Sequence, residues 1–101
     1  NKMPKFGQII KSNVPILFDF HNDSNEPSSK MNHVLRNVAA TIGDKGKVIK
    51  INIEKNNELT QALRINRVPT LMIYKSGEMV WRQSGELDTD SLVNIFNDFT
   101  Y

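Results

Sequence analysis

The residues of this sequence that could carry out chemistry are concentrated in one polar stretch. His21, Asp23, Glu26 and His33 are of the types that bind metal ions or transfer protons. Their spacing matches no ligand pattern of a known metal site, and His33 falls in a segment with helical periodicity. We therefore interpret them as a chance cluster in a polar loop, and we expect neither a metal ion nor another cofactor.

Two serines of the same stretch, Ser28 and Ser29, suggest a nucleophile served by His21 or His33. A helix N-terminus beside them would stabilise a developing oxyanion. However, no acidic residue is placed to orient either histidine, and the sequence has no nucleophile elbow. A serine-dependent enzyme is therefore not the favoured interpretation.

Helix capping explains the stretch more simply. We expect Ser24 or Asn25 to be the N-cap residue, with Glu26 and Pro27 in the first turn of a helix. The Glu26 carboxylate would then lie at the positive end of the helix dipole, which is stabilising.

The composition excludes several classes of protein. The chain of 101 residues contains no cysteine, so it has no disulfide, thiolate metal site or cysteine nucleophile. Its 13 basic and 11 acidic residues give a net charge of +2, and the basic residues are scattered, which argues against nucleic-acid binding. No apolar run approaches the length of a membrane span, so we expect a soluble protein without membrane association.

Location and assembly are not fixed by these features. No signal-peptide pattern is visible, which slightly favours the cytoplasm. The first residue is Asn1 rather than methionine, so the sequence leaves open whether a leader peptide was removed. Nothing in the sequence sets the oligomeric state.

The elements that must position these residues follow from hydrophobic periodicity and turn residues. A strand, a helix and a second strand in succession predict a parallel pair with a right-handed crossover, and residues 75–78 predict a hairpin turn. The predicted elements are a helix at 6–12, a strand at 16–20, a helix whose apolar face runs from Met31 to Ile42, a strand at 48–53, a helix at 56–65 capped by Asn56 or Asn57, strands at 68–74 and 79–83, and a last helix capped by Asp88 or Thr89.

Four motifs in this order resemble the thioredoxin family. Ser24–Met31 aligns without a gap to the family's Trp-Cys-Gly-Pro-Cys-Lys-Met-Met, and Val68-Pro69-Thr70 is similar to its cis-proline motif. The other two are Pro15–Phe20, which resembles the family's strand ending in apolar-Asp-Phe, and Lys75–Glu78 followed by Gly85, which resembles its closing hairpin.

The resemblance implies an α/β, thioredoxin-like, three-layer fold over residues 1–101 as a single domain. It implies a four-stranded mixed sheet in the order 2-1-3-4 with helices on both faces. The family's usual first strand is expected to be missing or shortened, because few residues precede Phe6.

The departures from the family pattern decide the expected function. Asn25 and Ser28 stand where the family has its two cysteines, and neither an amide nor a hydroxyl can replace a thiolate in disulfide exchange. Ser24 replaces the flanking tryptophan, Glu26 replaces the glycine, and Arg67 stands where a glycine commonly precedes the cis-proline. We therefore expect a chain without thiol–disulfide exchange.

Asp19 corresponds to the buried acid that serves the thiols in the family. Because the thiols are absent, we interpret Asp19 as a structural residue, paired with Lys50 on the neighbouring strand.

The cis-proline loop of the family pairs with extended peptide through its backbone, which requires no cysteine. We therefore expect a redox-inactive module that binds a protein or an extended peptide. The alternative interpretation is that Pro69 is kept only because the packing of the fold needs a turn there. The expected contact residues are Ser24, Asn25, Glu26, Pro27, Ser28, Arg67, Val68 and Pro69.

Three alternatives stay open. The first is that the chain is a variant of a thiol–disulfide oxidoreductase whose native form carries cysteines at positions 25 and 28. It could be a non-thiol enzyme on the same scaffold, using Ser28 or the histidine and carboxylates of residues 21–26. It could also be an assembly subunit, which an exposed apolar patch around Trp81, Met79 and Phe99 would favour.

Overall fold

A computed structural model describes residues 5–23 and 28–100, without the side chains of Ser28 and Ser29. Short 3-10 turns at Gly43–Lys45 and Ile53–Lys55 flank the second strand. The elements are α1 (Phe6–Ile9), β1 (Ile16–His21), α2 (Ser28–Ile42), β2 (Lys47–Asn52), α3 (Asn57–Ala62), β3 (Thr70–Lys75), β4 (Glu78–Ser84) and α4 (Thr89–Asn97). This is the predicted order of helices and strands.

The four strands form one mixed sheet in the order β2-β1-β3-β4, as predicted. β1 runs parallel to β2 and antiparallel to β3, and β3 and β4 form the antiparallel hairpin. β1 lies in the sheet interior and is buried on both faces, which explains its almost continuous apolar sequence.

One face of the sheet packs against α2 and α4. The side chains of Leu17, Leu71 and Ile73 point to this face, where they meet Leu35 of α2 and Phe96 of α4. All five are buried, so this layer fixes both long helices against the sheet.

The opposite face packs against α1 and α3. Phe6 of α1 lies across the aromatic residues of the sheet, with ring centroids 4.9 Å from Phe18 and 5.1 Å from Tyr74. Phe18, Phe20 and Tyr74 are buried there. This aromatic cluster anchors α1, a single helical turn with no side-chain cap of its own.

The ends of the long helices agree with the capping residues in the sequence. α2 ends at Ile42, and Gly43 follows with a positive φ of 58°, a conformation that favours glycine. Asp88 is the N-cap of α4, and its carboxylate accepts a hydrogen bond of 2.8 Å from the Ser91 amide.

Several predicted boundaries were wrong in position. α1, β2 and α3 end at Ile9, Asn52 and Ala62, whereas the sequence predicts ends at residues 12, 53 and 65. The sequence places the start of the third strand at Val68, but β3 begins at Thr70. Pro69 has no amide hydrogen to donate to a neighbouring strand, and its carbonyl accepts instead from Gly85 beyond the end of β4. Val68 and Pro69 therefore form a loop at the end of the sheet.

No helix in the described part of the chain is long and apolar enough to cross a lipid bilayer.

Candidate functional site

The loop that contains Val68 and Pro69 lies at the end of the sheet where β1 finishes and β3 begins. The bond between these two residues is a cis peptide. Phe20 and Thr70 are register partners, so the chain that leaves β1 starts from the same end of the sheet as this loop. The described end of β1 at His21 therefore lies at the same end of the sheet as the loop of Val68 and Pro69.

Hydrogen bonds hold the loop from both sides. The Thr70 hydroxyl donates to the Arg67 carbonyl, and it lies 3.2 Å from the Ser84 hydroxyl. The Gly85 amide donates to the Pro69 carbonyl over 2.8 Å. The loop is thus tied to the last residue of β4 as well as to the first residue of β3.

Within the described structure, the backbone of Val68 is open to a hydrogen-bonding partner. Neither its backbone amide nor its carbonyl hydrogen-bonds to another described residue. Val68 and Pro69 are half-buried, whereas Arg67 is exposed. A preorganised backbone donor and acceptor therefore stand beside a cationic side chain, an arrangement that can pair with an extended peptide.

Arg82 supports the loop from β4, a role that sequence reasoning missed. Its guanidinium donates to the carbonyl of Leu63 over 2.6 Å and to that of Arg64 over 2.9 Å. These carbonyls follow α3 and begin the segment that leads to Val68. The contact joins residues 18 and 19 positions apart, so no local pattern in the sequence signals it.

The other half of the predicted surface falls largely outside the described residues. This applies to Ser24, Asn25, Glu26 and Pro27, and with them to the predicted cap of α2. Ser28 is the first residue of α2, so the predicted contact there is at a helix N-terminus.

The cluster of histidines and carboxylates is only partly brought together. His21 Nδ1 lies 3.0 Å from Asp23 Oδ1, and Asp23 Oδ2 accepts a hydrogen bond of 2.8 Å from the Asn52 side chain. His33 is instead exposed on α2, next to the Arg36 guanidinium. Among the described residues no three histidines or carboxylates are arranged to hold a metal ion.

Asp19 is 1% exposed, and its Oδ1 atom makes no hydrogen bond in the described structure. Burial raises the pKa of the Asp19 carboxyl to about 6, although the nearby charges of His21 and Lys50 lower it. Lys50 is the register partner of Asp19, but its side chain is exposed and the two groups form no ion pair within the described structure. The two residues are therefore neighbours in register without an ion pair in contact distance, and Lys50 acts on Asp19 through its charge.

The apolar surface around Trp81, which would favour an assembly subunit if it were exposed, is largely covered. Trp81 and Phe99 are half-buried against the layer formed by α2 and α4. Met79 is 43% exposed and Val80 is 37% exposed on β4. The two aromatic rings of the patch thus belong mainly to the core.

The comparisons with known proteins agree with this geometry. The family model described as Thioredoxin matches residues 2–98. The chain is 29% identical over 91 residues to a thioredoxin of Rickettsia bellii, covering 90% of this chain and 87% of the relative. It is 30% identical over 89 residues to a thioredoxin of Haemophilus influenzae, covering 88% and 83%.

Solved structures give the same result. A mutant thioredoxin from Halobacterium salinarum superposes with a TM-score of 0.84 at 27% sequence identity, over 94% of this chain and 82% of that one. The family model, the curated relatives and the structural match cover nearly the whole chain. The chain belongs to the thioredoxin family, and it does so without a cysteine.

Proposed function

We propose that this chain is a redox-inactive member of its family that binds an extended segment of a partner protein at the Val68 loop. The observation that carries the proposal is the backbone of Val68, whose amide and carbonyl hydrogen-bond to no other described residue. Two backbone groups of one residue can exchange a pair of hydrogen bonds with a strand laid beside them.

The loss of chemistry follows from composition. Disulfide exchange needs an attacking thiolate and a resolving thiol, and the chain has no cysteine. A backbone contact requires neither group, so a chain without cysteine can still bind a polypeptide segment. The relatives are named thioredoxins, and the proposal assigns to this chain only the recognition of a polypeptide segment.

Arg67 is proposed to contribute to partner choice. Its side chain is exposed next to Val68, so an acidic residue in the bound segment would lie within its reach. Exposed charges contribute modestly to affinity and more strongly to the association rate and to discrimination between partners. We therefore expect a partner segment with a carboxylate near the position that faces Val68.

Affinity capture with a matched pair of variants tests the proposal. Arg67→Glu reverses one charge beside the loop. Lys11→Glu makes the same change on an exposed residue near the opposite end of the sheet, where Ile10 bonds to the β3–β4 turn. The bait proteins are incubated in an extract of the organism that encodes the chain, and captured proteins are quantified by mass spectrometry.

We expect partners that the unmodified chain and Lys11→Glu retain equally and that Arg67→Glu loses by about fivefold or more. Equal capture by all three proteins would place the contact elsewhere and contradict the proposal. The sequence of the natural gene at codons 25 and 28 distinguishes it from the variant-oxidoreductase alternative, since cysteine codons there would restore the thiol function.

A further inference from the structure

Arg64, in the turn that follows α3, has a backbone conformation that favours glycine. We propose that Arg64 determines the specificity of the Val68 loop, because its guanidinium contacts a carboxylate of the bound segment. The role of Arg64 rests on the binding function proposed for that loop. It adds a second acidic residue to the segment, besides the one expected near Arg67.

The end of α3 is closed by a Schellman motif. The Ile65 amide donates to the Thr60 carbonyl over 3.0 Å, and the Arg64 amide donates to the Gln61 carbonyl over 3.1 Å. Closing a helix in this way requires one left-handed residue, and Arg64 has a φ of 55°. Glycine adopts that conformation without strain, whereas a residue with a Cβ atom does not.

The surrounding fold holds Arg64 in this conformation from both sides. The Arg64 carbonyl accepts a hydrogen bond of 2.9 Å from the Arg82 guanidinium of β4. The next residue, Ile65, is 8% exposed in the apolar cluster that also contains Phe20 and Met72. The left-handed backbone is therefore imposed by the neighbours of Arg64.

None of these contacts uses the Arg64 side chain. The hydrogen bonds are made by the amide and the carbonyl, which a glycine also has. The side chain is exposed, and its guanidinium makes no hydrogen bond or ion pair with another described residue. Because strained backbone positions cluster at functional sites, the side chain points to a contact outside the chain.

The position of Arg64 specifies what it contacts. Arg64 lies four residues before Val68, so the two Cα atoms are at most about 14 Å apart. A bound strand advances about 3.3 Å per residue, so a residue within about four positions of the one that faces Val68 reaches Arg64. Guanidinium groups pair strongly with carboxylates. With Arg67 also exposed, the segment carries two carboxylates no more than about four positions apart.

A glycine variant separates the side chain of Arg64 from its backbone. Arg64→Gly relieves the strain and removes the guanidinium. Ser76→Gly is the matched control, because Ser76 has a φ of 53° in the β3–β4 turn, where the Gly77 amide bonds to Ile10 at the other end of the sheet. We expect each substitution to raise the Tm by a few degrees.

Selection of peptides measures the specificity. The unmodified chain and both glycine variants are immobilised and used to select from a phage-displayed library of random decapeptides. We expect the unmodified chain and Ser76→Gly to enrich the same peptides, with two acidic residues no more than about four positions apart. Arg64→Gly should enrich peptides with only one of these acids.

The affinity of a selected peptide, synthesised and measured by calorimetry, gives the size of the effect. Arg64→Gly should bind it about fivefold more weakly than the unmodified chain does. Arg64→Lys keeps a cation at the position and should lose no more than about twofold.

Enrichment of the same acidic peptides by Arg64→Gly would overturn the role of Arg64 and leave the binding function of the Val68 loop intact. Peptides without paired acids on the unmodified chain would do the same. A Tm of Arg64→Gly below that of the unmodified chain would also overturn the role, because the side chain would then stabilise the fold. A selection that enriches no peptide on any of the proteins would overturn both this role and the proposed function.

Discussion

Asp19 is a buried acid whose negative charge is unfavourable for folding. The carboxyl is buried, and one of its oxygen atoms has no hydrogen-bond partner in the described structure. Its pKa is raised to about 6 from an ordinary 3.8, chiefly by burial. The folded state therefore binds this proton more tightly than the unfolded state does, and ionised Asp19 opposes folding.

The ionisation of Asp19 makes the stability of the fold depend on pH. Above pH 6 the group is ionised in both states, and the difference of about two pKa units costs about 3 kcal/mol. This cost decreases as the pH falls from 6 toward 3.8, so Asp19 should make the protein more stable at pH 5 than at pH 8.

We predict that Asp19→Asn stabilises the fold at pH 8 by about 1–2 kcal/mol. The gain is smaller than the full ionisation cost because a buried amide also needs hydrogen-bond partners. Urea unfolding of both proteins at pH 8 and pH 5 measures the effect, and the difference between them should shrink at the lower pH. Loss of partner capture by folded Asp19→Asn would show instead that the carboxyl serves binding.

The sequence identifies Asp19 as a buried acid but not its surroundings. Alternation along β1 and β2 predicts correctly that Asp19 and Lys50 are neighbours in register. Whether a lysine turns toward a carboxylate depends on the space left by α2 and on access to solvent, and neither is encoded locally. The hydrogen bonds of Arg82 escaped prediction for the same reason.

At the scale of the elements, periodicity and turn residues were enough to predict every helix and strand in order. The pattern also predicted the parallel pair of β1 and β2 and the hairpin of β3 and β4, whereas the full strand order came from the resemblance to the family. The failure at the start of β3 came from Pro69, which continues the apolar pattern of the strand but cannot continue its hydrogen bonds. Pro69 and the preceding Val68 form the candidate binding loop.

Gly46 links β2 to α4 by close packing. A Cβ atom at this position would overlap the ring of Phe96 and approach the Pro15 carbonyl oxygen to 2.8 Å. We predict that Gly46→Ala destabilises the fold by about 2 kcal/mol, since the buried ring must move. Gly7→Ala is the matched control, because a Cβ there has no neighbour within 4 Å and α1 should gain slightly. Equal unfolding midpoints for both variants in urea would refute this packing.

Asp88 caps the N-terminus of α4. The hydrogen bond from the Ser91 amide lowers the pKa of Asp88, so the ionised form stabilises the folded state. This stabilisation is present above the ordinary pKa of 3.8 and is lost as the pH falls through the lower folded pKa. Asp88→Ala should lower the Tm by a few degrees at pH 7.

Thermal unfolding at pH 7 and pH 2.5 checks the cap. Asp88→Asn serves as the control, since an amide oxygen can also cap a helix. A Tm difference between Asp88→Ala and the unmodified chain that stays the same at both pH values would show that the carboxylate charge contributes nothing to α4.

At the scale of the whole molecule, a thioredoxin-family fold occurs in a chain without cysteine. Positions 25 and 28 carry an asparagine and a serine, so neither offers a thiol. We predict no insulin-disulfide reduction by the unmodified chain. The double variant Asn25→Cys and Ser28→Cys should gain turnover with dithiothreitol as the reductant.

Each single cysteine variant is the control for that gain, because one thiol cannot complete the exchange. Activity in the unmodified chain would refute the redox-inactive assignment. A double variant that folds and forms its disulfide but remains inactive would indicate that the scaffold has changed beyond its two missing thiols.

Photo-crosslinking beside Val68 tests the proposed binding function most directly. p-Benzoylphenylalanine replaces Asn66 in one protein and Lys11 in another, both of them exposed positions, and each protein is irradiated in extract. The binding account predicts that position 66 forms crosslinks to an extended segment of one partner or a few, which excess unmodified chain suppresses. Crosslinks at position 66 no more specific than those at position 11 would contradict it.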